Sequence, residues 1–97
     1  MTIQSFGDSI TEEFFFSGRL PSKGCGWKRQ SKVVARKLDM LEAATDVTDL
    51  RIPPSNRLEK LSGDRNEWHS IRINAQWRIV FVWTEDGPAR VQVVDYH

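Results

Sequence analysis

A chain of 97 residues is long enough for one hydrophobic core, so we treat residues 1–97 as a single domain. The formal net charge of +1 does not by itself indicate a nucleic-acid partner. No apolar run reaches the ~20 residues of a membrane-spanning helix and no secretion signal is recognisable, so we expect a cytoplasmic protein with no membrane partner. One cysteine and two histidines are too few ligands for a closed zinc site, and we expect neither a metal nor another cofactor.

Two helices are predicted in the first half of the chain. Residues 1–6 alternate in polarity and predict a short edge strand, after which Ser9 and Glu12 have the spacing of a capping box at a helix start. Gly18 is a suitable helix stop. Residues 27–44 then carry an apolar stripe with helical spacing, formed by Val34, Leu38 and Leu41.

Positive charge is concentrated between residues 19 and 37, a stretch that contains no Asp or Glu. Part of this charge lies on the second predicted helix, largely off its apolar stripe. We define these residues as the basic helix face: Lys28, Arg29, Lys32 and Arg36. Such a face is either ordinarily solvated or contacts phosphates, and the sequence leaves both possibilities open.

The second half of the chain changes to the residue types of β-strands. Residues 57–61, 68–73, 77–84 and 89–96 are rich in β-branched and aromatic side chains, and turn-forming residues separate them. They predict an antiparallel meander in which residues 77–84 form an interior strand. The predicted fold is α+β, with two N-terminal helices packed on a mostly antiparallel sheet of four to five strands.

Arg78 is the one charged residue in the apolar run of the predicted interior strand, where a guanidinium is costly unless an anion meets it. That anion is either Glu59 or Asp95 in a buried ion pair, or the phosphate of a ligand. Other basic residues of the sheet either line a groove next to Arg78 or are solvated on its outer side. These residues are Arg57, Lys60 and Arg72.

The sequence ends with Asp95, Tyr96 and His97, directly after the last predicted strand. An unperturbed histidine titrates near neutrality, so His97 is a candidate general acid or base. Strand alternation puts Asp95 and His97 on one face and Tyr96 on the other, although a bend at the end would bring all three together. The alternative is that these residues simply end a strand in solvent.

The order of these segments resembles the HigB branch of the RelE toxin superfamily. The resemblance rests on an L-x-x-L-x-G-D segment that starts at Leu58, an S-I-x-x-x-x-x-W-R hairpin that starts at Ser70, and the D-Y-H ending. It implies a type II toxin that cuts messenger RNA on the ribosome without a metal ion. In that family the RNA 2′-hydroxyl attacks the adjacent phosphate.

The resemblance also implies residue roles and partners. His97 and Asp95 would transfer or orient protons, Tyr96 would support them, and Arg78 would stabilise charge on the phosphate. The other basic residues named above would bind RNA or the ribosome. The implied partner is a HigA-like helix-turn-helix antitoxin, and operator DNA would be contacted only through that antitoxin.

Three positions depart from the pattern of some relatives. Glu59, Ser62 and Asn74 stand where those relatives carry His, Lys and Arg, which removes two positive charges and one imidazole from the expected groove. Glu59 is itself a candidate general base. The departures keep a second function open, that of a non-catalytic RNA- or protein-binding module with the same fold.

Overall fold

The computed structural model describes residues 2–61 and 67–95, and we number its elements in chain order. The helical elements are α1 (Ser9–Ser17), a 3₁₀ turn (Lys28–Gln30) that leads into α2 (Ser31–Ala43), and two further 3₁₀ turns (Val47–Arg51 and Pro54–Asn56). The strands are β1 (Glu59–Lys60), β2 (Trp68–Arg72), β3 (Trp77–Thr84) and β4 (Gly87–Asp95). They form one antiparallel sheet in the order β1-β2-β3-β4, which confirms the predicted α+β fold.

Helix α1 begins one residue earlier than the capping-box prediction required. Asp8, not Ser9, is the N-cap, and its carboxylate accepts hydrogen bonds from the Thr11 amide at 2.6 Å and the Thr11 hydroxyl at 3.0 Å. Asp and Ser are comparably good N-caps, so the helix could start at either residue, and here Asp8 takes that position. The helix ends as predicted at Gly18, whose φ of 75° is readily adopted by glycine.

Helix α2 supplies most of the helical side of the core. Val34, Leu38 and Leu41 are buried, as their spacing predicts. They belong to one hydrophobic cluster with Ile79 and Phe81 of β3. Since these two residues alternate along β3, the opposite face of the strand carries Arg78 and Val80.

The N-terminal segment is not the strand that its alternation predicts. Residue Phe6 forms a single parallel bridge with Val91 of β4, although the Gly7 amide also donates to the Val91 carbonyl at 2.8 Å. Opposite this segment, β4 contains a bulge at Arg90, whose φ is 53°. The bulge interrupts the regular ladder, which limits how far a further strand can pair there.

Lys37 is a buried cation among the apolar residues of α2. Its side chain is 4% exposed, and its Nζ donates a hydrogen bond to Asn56 Oδ1. Asn56 is fully buried and donates in turn to the Leu50 carbonyl at 3.1 Å. Within residues 2–61 and 67–95 no carboxylate bonds to Lys37, and the acceptor found there is the neutral amide of Asn56. This pair fixes the segment before β1 against α2.

Replacing Asn56 by leucine is expected to lower the free energy of unfolding by about 3 kcal/mol, because the Lys37 ammonium would stay buried without its acceptor. Chemical denaturation measures this loss. In a double variant that also carries Lys37→Met, the charge is gone and most of the stability should return. A double variant as unstable as Asn56→Leu alone would show that the bond from Asn56 to the Leu50 carbonyl accounts for the loss.

Candidate functional site

A pocket of about 500 Å³ lies where the segment before β1 meets the ends of β2 and β3. It is strongly basic, since three arginines and one glutamate contribute its charged groups. The lining residues are Arg57, Leu58, Glu59, Arg72, Ala75 and Arg78. The structure therefore brings Arg78 together with two of the three basic residues proposed from the sequence to line a groove next to it, Arg57 and Arg72, and we call this feature the arginine pocket.

Arg78 is the most firmly held side chain of the arginine pocket. The residue as a whole is 8% exposed, its Nη1 lies 2.7 Å from Glu59 Oε1, and its Nη2 donates to the Arg57 carbonyl at 2.6 Å. The sequence left Glu59 and Asp95 open as ion-pair partners of Arg78, and the structure shows the ion pair with Glu59. These two acceptors orient the planar guanidinium, and a guanidinium held in one orientation is suited to two-pronged recognition of an oxyanion.

Arg57 and Arg72 reach the arginine pocket in different ways. Arg57 follows the 3₁₀ turn Pro54–Asn56 with a φ of 46°, a left-handed conformation that turns its carbonyl toward Arg78. Arg72 stands directly opposite Arg78 in the ladder between β2 and β3. Like charges in directly opposed positions destabilise a sheet. The pair is therefore favourable only with anions nearby, and Glu59 supplies one negative charge against three positive ones.

Two buried or half-buried groups next to the sheet have shifted pKa values. Burial lowers the pKa of Lys37, and the positive charges of Arg36 and Arg72 lower it further. Lys37 therefore lies close enough to Arg72 to add to the positive potential of this region. Burial also lowers the pKa of His69, with a smaller contribution from Lys60. The His69 ring stacks on Phe81 at a centroid distance of 5.9 Å.

Lys60 and Asp95 lie outside the arginine pocket. Lys60 pairs with His69 and Asp95 pairs with Trp77, whereas Arg78 pairs with Val94. Alternation therefore places Lys60 and Asp95 on the opposite face of the sheet from Arg78. Asp95 Oδ2 accepts a hydrogen bond from Gln76 Nε2 at 2.9 Å. The carboxylate is thus one residue along the ladder from Arg78, but on the other face.

Several residues singled out in the sequence lie outside the described residues, namely Ser62, Tyr96 and His97. Asn74, by contrast, has a clear structural role. Its Oδ1 accepts from the amides of Gln76 and Trp77, both at 2.8 Å, and so closes the turn between β2 and β3. A side chain committed to this turn cannot also bind RNA in the way an arginine would.

All four residues of the basic helix face are exposed. Gly26, two residues before Lys28, lies so close to the Trp77 ring that a Cβ there would come within 2.7 Å of it. Trp77 is the ladder partner of Asp95. The start of the basic helix face therefore lies near the end of the sheet at which β4 finishes.

Lys37 and the Arg57 carbonyl are site components that the sequence analysis missed. Lys37 follows Val34 by one helical turn, so its place on the apolar stripe was a signal of burial. The Arg57 carbonyl that accepts from Arg78 belongs to the main chain, so no residue type in the sequence signals it. Among residues 2–61 and 67–95, no three His, Cys, Asp or Glu side chains are grouped so as to hold a metal ion. Over the same residues, no helix has the length and apolar character needed to cross a membrane.

Comparison with known proteins gives the same family that the sequence resembles. Residues 4–97 match the family model of HigB-like toxins, described as RelE-like toxins of the type II toxin–antitoxin system HigB. Over 62 residues the chain is 50% identical to toxin HigB-1 of Vibrio cholerae, with 64% of each chain covered. Over 50 residues it is 50% identical to an uncharacterized protein of Haemophilus influenzae, with 52% of this chain and 50% of that protein covered. The aligned stretches thus span 50% to 64% of the length of these curated relatives.

Proposed function

We propose that this chain, which belongs to the HigB-like family of RelE-like toxins of type II toxin–antitoxin systems, is an endoribonuclease that cuts messenger RNA on the ribosome. A type II toxin has an antitoxin as its partner. The observation that supports the nuclease proposal best is the arginine pocket, with its excess of positive charge around a buried, oriented guanidinium. RNA phosphates are the ligands that such a pocket fits in a protein of this family.

In the proposed reaction the RNA 2′-hydroxyl attacks the adjacent phosphorus atom. A base removes the proton of the hydroxyl, a bond forms between the 2′-oxygen and phosphorus, and the bond from phosphorus to the 5′-oxygen breaks. An acid then protonates the leaving 5′-oxygen. The products carry a 2′,3′-cyclic phosphate and a 5′-hydroxyl, so atoms and charges balance without any co-reactant.

Arg78 is the group that we assign to the transition state. Negative charge accumulates on the phosphate oxygens as the 2′-oxygen bond forms, and a preoriented guanidinium stabilises that charge without reorganising. Its bond to the Arg57 carbonyl keeps the guanidinium in place while a ligand binds. Arg57 and Arg72 would hold the flanking phosphates, and Lys60 would contact RNA only outside the pocket.

His97 is the proposed proton-transfer group, with Asp95 as the residue that orients it and Tyr96 in support. Asp95 lies across the sheet from Arg78, and so its proposed role is to position a neighbouring side chain rather than to contact the phosphate. Gln76 holds one oxygen of this carboxylate, which favours a fixed orientation. These three assignments follow the resemblance position by position.

The basic helix face is proposed to contact ribosomal RNA. Reversing two of its exposed charges, Lys32→Glu and Arg36→Glu, should weaken co-sedimentation with ribosomes. If each side chain contacts one phosphate, the slope of log affinity against log salt should fall by about 1.5. A control variant reverses two exposed arginines on other elements, Arg51 of the 3₁₀ turn Val47–Arg51 and Arg90 of β4. Equal binding by both variants would assign the basic helix face to the antitoxin or to solvent.

The proposed partner is a HigA-like helix-turn-helix antitoxin. The toxin would reach operator DNA only through this protein, and the pair would act in the cytoplasm. Repression of the shared operon would then depend on the antitoxin alone for contacts with bases.

A reconstituted translation system tests the proposed function. Purified chain is added to a defined message with translating ribosomes, and 5′ ends are mapped by primer extension. New ends that appear only in the presence of ribosomes are expected. Inhibited translation with an uncut message would instead favour the non-catalytic binding module.

A further inference from the structure

We propose that Glu59 is an internal competitor for the RNA phosphate, so that it occupies Arg78 in the free toxin and must be displaced when RNA binds. This inference rests on the proposed function of the arginine pocket. Its geometric basis is the 2.7 Å contact between Glu59 Oε1 and Arg78 Nη1 within the lining of that pocket.

The carboxylate and a phosphate would use the same side of the same guanidinium. A phosphate oxygen that bonds to Nη1 has to share this nitrogen with Glu59 or replace the carboxylate there. Sharing brings two anions to about 4 Å, where their repulsion is roughly 1 kcal/mol in water and several times larger at lower effective dielectric constant. Replacement is therefore the favoured route.

The exposure of the two side chains indicates that Glu59 can leave the ion pair while Arg78 keeps its position. The Glu59 side chain is 55% exposed, whereas that of Arg78 is 10% exposed. Glu59 also belongs to a strand of only two residues at the edge of the sheet, so moving its side chain into solvent disturbs little packing. The Arg57 carbonyl remains bonded to Nη2 and keeps the guanidinium oriented after Glu59 has moved.

The consequence is a pocket with reduced affinity for any single phosphate. A ligand has to offset the loss of the Glu59 ion pair, and an RNA that also contacts Arg57 and Arg72 does so better than a small free anion. Glu59 thus lowers the affinity of every phosphate ligand of Arg78 by the same factor, so that only a ligand with additional contacts, such as an extended phosphate backbone, binds appreciably.

The test measures binding without cleavage, using a short 2′-O-methyl oligoribonucleotide and, separately, inorganic phosphate. Glu59→Gln keeps the size of the side chain and removes its charge. We expect it to bind the oligonucleotide at least about fivefold more tightly and to bind inorganic phosphate more tightly by a similar factor. The matched control is Glu85→Gln, which removes the same charge from the exposed turn between β3 and β4 and should leave both affinities unchanged.

A folded Glu59→Gln variant with unchanged or weaker oligonucleotide binding would overturn the competitor role. A double variant, Glu59→Gln with Arg78→Gln, separates this result from failure of the proposed function. If only the double variant loses binding, the arginine pocket binds RNA but Glu59 does not compete. If the double variant binds as well as the wild type, the pocket is not the RNA site and both proposals fail.

Discussion

Message cleavage is expected to slow by about 10²–10³-fold when Arg78 is replaced by glutamine in a Glu59→Gln background. The double replacement removes both members of the ion pair, so that neither charge is left without the other. The loss arises because the charge that develops on the phosphate oxygens no longer meets a fixed guanidinium. Single-turnover cleavage of a ribosome-bound message measures it, with the Glu59→Gln variant as the reference.

Two further variants make this result specific to the guanidinium. Arg78→Lys keeps the charge but loses the planar, two-pronged geometry, so it should recover only part of the rate. Arg51→Gln removes an exposed arginine outside the pocket and should cleave at the wild-type rate. A double variant that cleaves as fast as Glu59→Gln, while circular dichroism shows the native fold, would remove Arg78 from the mechanism.

Replacement of His97 by alanine is expected to lower the cleavage rate by about 10²–10⁴-fold, the usual contribution of a positioned general acid or base. An unperturbed imidazole titrates at a pH of about 6.5. The wild-type rate should therefore change with pH near neutrality, and the variant should lose that dependence. A pH profile of the single-turnover rate shows both effects.

The chain contains only one other histidine, which provides the control. His69→Phe preserves stacking on Phe81, and so it should keep both the rate and its pH profile. If a folded His97→Ala variant keeps full activity and the same pH profile, another group transfers the proton.

Much of the fold could be predicted from the period of the hydrophobic pattern. The strand over residues 77–84 has the predicted bounds, and Val34, Leu38 and Leu41 are buried as their spacing indicates. Both patterns depend on burial of one face, which the sequence records directly. Helix and strand ends were harder to predict, because adjacent polar side chains compete for them. Asp8 replaces Ser9 as the N-cap for this reason.

The candidate site was predictable only in part. Arg72 and Arg78 share a face because the turn at Asn74 sets the register, and that face could be inferred from alternation. The predicted strand over residues 57–61 shortens to Glu59–Lys60, since Arg57 adopts a left-handed conformation after a 3₁₀ turn. The contact between Lys37 and Asn56 joins residues 19 positions apart, and no local pattern specifies it.

The chemistry of the cut ends tests the central claim most directly, because attack by the 2′-hydroxyl leaves ends that other routes of RNA hydrolysis do not. Transcripts from cells that express the wild-type chain are ligated to an adaptor before and after treatment with a 5′ kinase, and the 3′ ends are assayed for cyclic phosphate. We predict 5′-hydroxyl and 2′,3′-cyclic phosphate ends within translated codons, which the Glu59→Gln, Arg78→Gln double variant fails to produce. Ends with 5′-phosphates at the same positions, or growth inhibition with intact transcripts, would contradict the account.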